Sequence, residues 1–161
     1  MKKVMFLLTT LLIGGMMFTG CKKDEPTPEP EPEPTPTTIK VAYSVTNTDG
    51  NLVLSPCFKL DVTYIDADGQ EVTESGQTLP WTKIIEVTKP FHAKMVGQMV
   101  YNEEELPETV TYGRMRGIGY YNDGSFDVPF TGGFSQGSKE SYISMFAEHP
   151  DKLQFTEERD F

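Results

Sequence analysis

Two cysteines, Cys21 and Cys57, and two histidines, His92 and His149, are the side chains best suited to nucleophilic or acid–base chemistry in this 161-residue chain. A catalytic thiol needs a base within hydrogen-bond reach. Neither histidine lies in a recognisable nucleophile motif, and the two are not spaced as a metal-binding pair. Cys57 stands in Pro56-Cys57-Phe58 at the start of an expected strand and reads as a small buried hydrophobe. Cys21 differs in kind: an apolar run ends at it, and Lys22-Lys23-Asp24-Glu25 follows at once. That abrupt switch points to an address or an attachment rather than a catalytic centre.

The carboxylates offer two further chemistries. Asp66-Ala67-Asp68-Gly69 has the opening of a calcium loop, which also needs an oxygen ligand near position 70 and a bidentate Glu at position 77. Those positions hold Gln70 and Gln77, so the stretch reads as a hairpin turn. A calcium site pooled from several acidic loops stays open. Paired carboxylates can hydrolyse glycosides when they flank the scissile bond. The run Glu103, Glu104, Glu105 and Glu108 is contiguous and reads as a solvated loop. The Gly-rich stretch from Gly132 to Ser138 has Ser138 where a phosphate loop requires Lys. These patterns imply no catalytic residue, no metal and no cofactor.

Residues 1–20 explain the switch at Cys21. Lys2 and Lys3 precede an apolar run from Val4 to Ile13 that only Thr9 and Thr10 interrupt. The run is shorter than the roughly 20 apolar residues of a spanning helix and fits a cleaved signal peptide. Phe18-Thr19-Gly20-Cys21 resembles the lipobox of bacterial lipoproteins, with Phe where Leu is usual. The resemblance implies a thiol acylated at Cys21, cleavage before it and acylation of the new amino group. Each buried CH₂ contributes roughly 0.8 kcal/mol, and two or more chains anchor stably where one does not. An acylated Cys21 leaves Cys57 with no intramolecular disulfide partner.

Residues 21–37 then form a tether. Proline alternates with Glu or Thr from Pro26 to Pro36, which excludes helix and central strand. Extended polyproline II at about 3.1 Å per residue would let sixteen such residues reach on the order of 50 Å. Lys23-Asp24-Glu25 resembles the acidic export signal on surface lipoproteins of Bacteroidota. That implies an outer-membrane protein whose domain faces outward; a periplasm-facing domain is the alternative. Losing Lys2 and Lys3 with the signal leaves 12 basic residues against 24 acidic ones, a net of −12. Such a charge repels phosphates and argues against nucleic acid as a partner.

The domain of residues 38–161 shows mostly period-two patterning, the mark of strands with one buried face. Ile39, Val41, Tyr43 and Val45 form one such set; Phe58, Leu60, Val62 and Tyr64 another; Trp81, Lys83, Ile85 and Val87 a third; Phe91, Ala93, Met95, Gly97 and Met99 a fourth. A short strand is expected around Glu71–Glu74, a long one over Val110–Tyr121 weakened by three glycines, and others over Phe126–Phe130 and Leu153–Thr156. Asp66–Gly69 and Asn122–Ser125 are hairpin signals. Ser138 can cap a short helix near 139–148, with Tyr142, Met145 and Phe146 on one face and Pro150 as its stop. The expected fold is mainly β: an antiparallel sandwich of about seven strands with one short helix near the C-terminus. In layout the chain resembles small Bacteroidota surface lipoproteins with immunoglobulin-like or transthyretin-like sandwiches. Their hairpins look like Val62-Thr63-Tyr64-Ile65-Asp66-Ala67-Asp68-Gly69-Gln70-Glu71-Val72-Thr73. No functional residue carries over from that resemblance.

Aromatic residues near strand ends are the clue to binding, because exposed rings stack on sugars and anchor protein partners. Tyr120 and Tyr121 must face opposite sides of a sheet if both lie in one strand, so at least one can be exposed. With Phe134 they form the candidate contact surface. The expected function is a membrane-anchored, non-enzymatic module that presents its loops to a protein or glycan ligand. The alternatives are a carbohydrate-binding accessory of a surface polysaccharide-uptake system and, less favoured, a small hydrolase built on His92 or His149.

Overall fold

A computed structural model describes residues 36–161. The expected signal segment, Cys21 and the expected tether up to residue 35 lie outside the described residues. The domain is an antiparallel β-sandwich. Its strands are β1 (Thr38–Thr46), β2 (Lys59–Ile65), β3 (Glu71–Gln77), β4 (Trp81–Thr88), β5 (His92–Val100), β6 (Thr109–Gly113), β7 (Met115–Asn122), β8 (Ser125–Asp127), β9 (Phe134–Ser138) and β10 (Gln154–Asp160). One sheet has the order β4-β1-β7-β8, the facing sheet β10-β5-β2-β3, and β6-β9 is a separate ribbon.

The alternation in the sequence maps onto the two inner faces. Val41, Tyr43 and Val45 pair with Ile85, Lys83 and Trp81 on one side and with Tyr120, Ile118 and Arg116 on the other. Leu60, Val62 and Tyr64 pair with Met99, Gly97 and Met95 in the facing sheet. Tyr43, Leu60, Met95 and Met99 are essentially inaccessible; burying a large apolar side chain stabilises by roughly 1.5–3 kcal/mol.

The two sheets meet along two seams, each closed by inward-facing charges. At the β3/β4 seam, Glu74 accepts from Trp81 Nε1 at 3.0 Å, Lys83 Nζ at 2.9 Å and Tyr64 OH at 3.1 Å. At the β7/β10 seam, Arg116 pairs with Glu157 at 2.8 Å, and Arg159 donates to the Ile118 carbonyl at 2.9 Å. Inward-pointing charge at a sheet edge opposes edge-to-edge association.

Ten strands appear where about seven were expected, for two reasons. The expected strand over 110–121 breaks at Arg114, so β6 and β7 lie in different sheets. The Gly-rich stretch forms β9, which pairs with β6. The glycines of β7 also have a use. A Cβ on Gly119 would collide with the Asp127 carbonyl and Val128, and one on Gly117 would meet the Pro129 carbonyl at 2.5 Å. The segment after β8 therefore crosses the outer face of β7 on a glycine floor. Three boundaries also move: β3 runs on to Gln77, β8 stops at Asp127 and β10 continues to Asp160.

One helix, α1 (Lys139–Glu148), lies where the sequence placed it. Ser138 caps it by accepting from Ser141 N at 3.3 Å. Tyr142 and Phe146 are buried, and Met145 is half-buried. Tyr142 and Phe146 join Phe58, Tyr101 and Tyr112 in an aromatic cluster with Phe146–Tyr112 and Phe146–Tyr101 centroids 4.8 and 5.1 Å apart. This cluster docks the helix and the β6-β9 ribbon on the end of the sandwich.

Candidate functional site

The three aromatic candidates separate. Tyr120 and Tyr121 lie near the end of β7 beside Thr38, where residue 36 enters the domain; Phe134 begins β9 at the other end. The nine residues of β1 put about 26 Å between those ends. Tyr120 faces inward. Its ring packs edge-on against Phe161 at 4.9 Å, Lys89 donates to its hydroxyl at 3.2 Å, and Arg159 stacks at 5.5 Å. Phe134 is half-buried, its ring lying across Gly113, its cross-strand partner. Tyr121 faces outward and is half-buried.

Tyr121 is positioned by a tight hairpin. Asp123 and Gly124 occupy the two central positions with φ of 44° and 87°, as a type I′ turn requires. A two-residue loop fixes the register, so Asn122 opposes Ser125 and Tyr121 opposes Phe126. The two rings sit 5.0 Å apart at 55° to one another, and Phe126 is 51% exposed. Beside them a hollow of about 290 Å³ is bounded by Lys40, Glu86, Tyr121, Asn122 and Asp123. Phe126, Lys40 and Glu86 were not among the candidates. The turn signal at Asn122–Ser125 would have found Phe126, because a two-residue loop dictates its pairing. The partnership of Lys40 and Glu86 needs the β1–β4 register, which no local signal supplies.

The opposite end carries an open, apolar cleft of about 450 Å³, lined by Val53, Leu54, Pro56, Phe58 and Leu79 with Lys59 at its edge. Its wall is the 47–58 connection. Asp49 Oδ1 accepts from the Asn51 and Leu52 amides at 3.0 and 2.9 Å, and these amides hold the Asp49 carboxyl below the usual range. Ser55 is tied to Thr111 twice, through its amide and its hydroxyl, both at 2.9 Å. The wall is thus preorganised, with Val53 left 63% exposed.

The residues suited to catalysis are dispersed. His92 Nδ1 contacts Asp160 at 2.7 Å on an open sheet face, a pair that is ionic only when His92 is protonated. His149 caps the C-terminus of α1 through its backbone and is exposed. Cys57 is buried at the far end of the sandwich from β5's start, and burial pushes its thiol above the ordinary range. Among the described residues no hydroxyl or thiol hydrogen-bonds to either histidine. Gly133-Phe134-Ser135-Gln136-Gly137 has the Gly-x-Ser-x-Gly spacing of a nucleophile elbow, which a reading of the stretch as only Gly-rich overlooks. An elbow places Ser on a sharp strand-to-helix turn. Ser135 instead lies within β9, opposite Tyr112, with its hydroxyl 2.8 Å from Tyr142 OH.

The carboxylate motifs have structural partners. Asp66 Oδ1 accepts from the Asp68 and Gln70 amides at 3.0 and 2.8 Å, closing its turn over Gly69 at φ 75°. Glu103–Glu105 form an exposed 3₁₀ turn capped by Asn102. Among the described residues no cluster of metal-ligating side chains occurs, and no helix is long and apolar enough to cross a membrane. Comparison with family models gives no match to this chain, and comparison with curated proteins gives none either.

Proposed function

We propose that this chain is a lipid-anchored, non-catalytic binding module, displayed from the outer membrane on an extended spacer. Acyl chains at Cys21 hold position, the Pro/Glu stretch supplies reach, and the sandwich carries loops that engage a protein partner. The observation that supports this reading best is the preorganised apolar cleft at the end opposite chain entry, where a tethered domain meets other molecules first. Protease treatment of intact cells tests the display. The expected result is digestion of the domain on unbroken cells, with Cys21→Ser chain lost from the membrane fraction. Full protection until the outer membrane is broken would contradict surface display. A second reading, a carbohydrate-binding accessory, is favoured by the exposed Tyr121–Phe126 pair beside a polar hollow.

A further inference from the structure

We infer that the hollow beside Tyr121 and Phe126 is a binding site for a neutral saccharide. The inference deepens the carbohydrate reading of this surface, and it concerns the folded domain alone, whether or not Cys21 carries lipid.

Three independent features converge. First, an aromatic pair lies at the surface: Phe126 is 51% exposed, and the half-buried Tyr121 both contacts it and lines the hollow. An exposed ring face offers apolar contact to the C–H face of a pyranose. Only the Tyr121 ring lines the hollow; Phe126 backs it from β8, on the side away from β1, so the site offers one aromatic wall for one or two sugar units and not a flat platform for a long chain. Second, the hollow holds about 290 Å³, at the lower end of the volumes of small-ligand sites. Third, apart from Ile39, its other walls are polar groups of mixed kind. Glu86 and Asp123 accept, Lys40 donates, and Asn122 does both. Sugar hydroxyls need that mixture of donors and acceptors.

The polar groups are available and fixed in place. Lys40 and Glu86 are direct cross-strand partners, yet among the described residues neither forms an ion pair. Asn122 and Asp123 are held by the I′ turn, with Ser125 Oγ donating to the Asn122 carbonyl at 2.7 Å. Charge selects among sugars: one cation faces two carboxylates at the hollow, in a domain with 19 acidic and 10 basic residues over positions 38–161. An anionic sugar would be repelled, and a neutral one is not. So small and open a site would bind weakly, with a Kd of about 1 mM.

Saturation-transfer NMR tests this on the full mature chain in a detergent without a sugar headgroup. The probes are neutral gluco-, manno-, xylo- and galacto-oligosaccharides at up to about 10 mM, with an oligogalacturonate as the anionic arm. The expected result is saturation transferred from the protein to the C–H protons of at least one neutral probe, reduced about tenfold or more in Tyr121→Ala and severalfold in Phe126→Ala, whose ring backs Tyr121. Glu86→Gln, at an exposed position, keeps the test valid if an aromatic variant fails to fold; it should weaken binding severalfold. Phe134→Ala and Val53→Asp, at the other end, should leave it unchanged. No transfer to any neutral probe, binding of the anionic probe alone, or transfer that survives Tyr121→Ala in a folded protein would overturn the assignment.

Discussion

Removing the Glu74 carboxylate should unfasten one seam of the sandwich. Trp81 is 6% exposed, and its indole N–H donates to Glu74 Oε2 at 3.0 Å. Glu74→Ala leaves that donor unpaired inside the protein, at a cost of about 1–3 kcal/mol. The Lys83 contact adds at most about 1 kcal/mol, because the Lys83 side chain is 41% exposed and screened by water. The total is about 1–4 kcal/mol, or about 4–16 °C in Tm for a domain of this size. Glu74→Gln keeps an oxygen for Trp81 and loses only the charge, so it should cost about 1 kcal/mol. The pH dependence has a definite sign. The Lys83 ammonium, then the Trp81 N–H, hold the Glu74 carboxyl below its ordinary value of 4.5, with partial burial opposing them. The stabilisation is therefore complete above that value and is lost as pH falls through the lowered folded value. Thermal melts followed by circular dichroism should show wild type and Glu74→Gln furthest apart near neutral pH and converging as pH falls through the lowered folded value. A gap independent of pH, or a Glu74→Ala variant no less stable than Lys83→Ala, would refute the reasoning.

Four further substitutions or probes have defined outcomes. Gly119→Ala should destabilise by about 2 kcal/mol, since its Cβ would strike the Asp127 backbone, whereas Gly133→Ala meets nothing within 4 Å and should stay within about 0.5 kcal/mol in urea titrations. Ser138→Ala removes the α1 cap and should cost about 1 kcal/mol in the same assay. Cys57, buried with its thiol pushed upward, should react with a thiol reagent at pH 8 only after the chain is unfolded; prompt reaction of folded protein would show the core around it to be open.

The sandwich was legible because burial on one face of a strand writes itself as alternation. Val41-Tyr43-Val45 and Leu60-Val62-Tyr64 carry it without interruption, and both lie on inner faces. The Asn122–Ser125 and Asp66–Gly69 turns were legible because few residues accept positive φ. The break at Arg114 was not. Val110, Tyr112, Ile118 and Tyr120 share one parity, so alternation continues across a point where the chain changes sheets. Gly117 and Gly119 looked like weakness because their purpose, a crossing segment, lies outside the strand itself. Lys83 fell on an inward face beside Trp81 in the sequence pattern. Its partner Glu74 became evident only from the packing of β3 against β4 across the seam, a long-range fact. The same limit applies to the hollow: Tyr121 could be named from its place in a strand, but Lys40 and Glu86 come from two strands whose register only the fold decides.

The tethered-display reading depends on what happens to the sulfur at position 21, and intact-mass measurement of the protein extracted from its native membrane reads that directly. The expected mass is that of residues 21–161 plus acyl groups, with lipid-bearing peptides beginning at Cys21 after digestion. A chain that retains residues 1–20 and carries an unmodified Cys21 would contradict it.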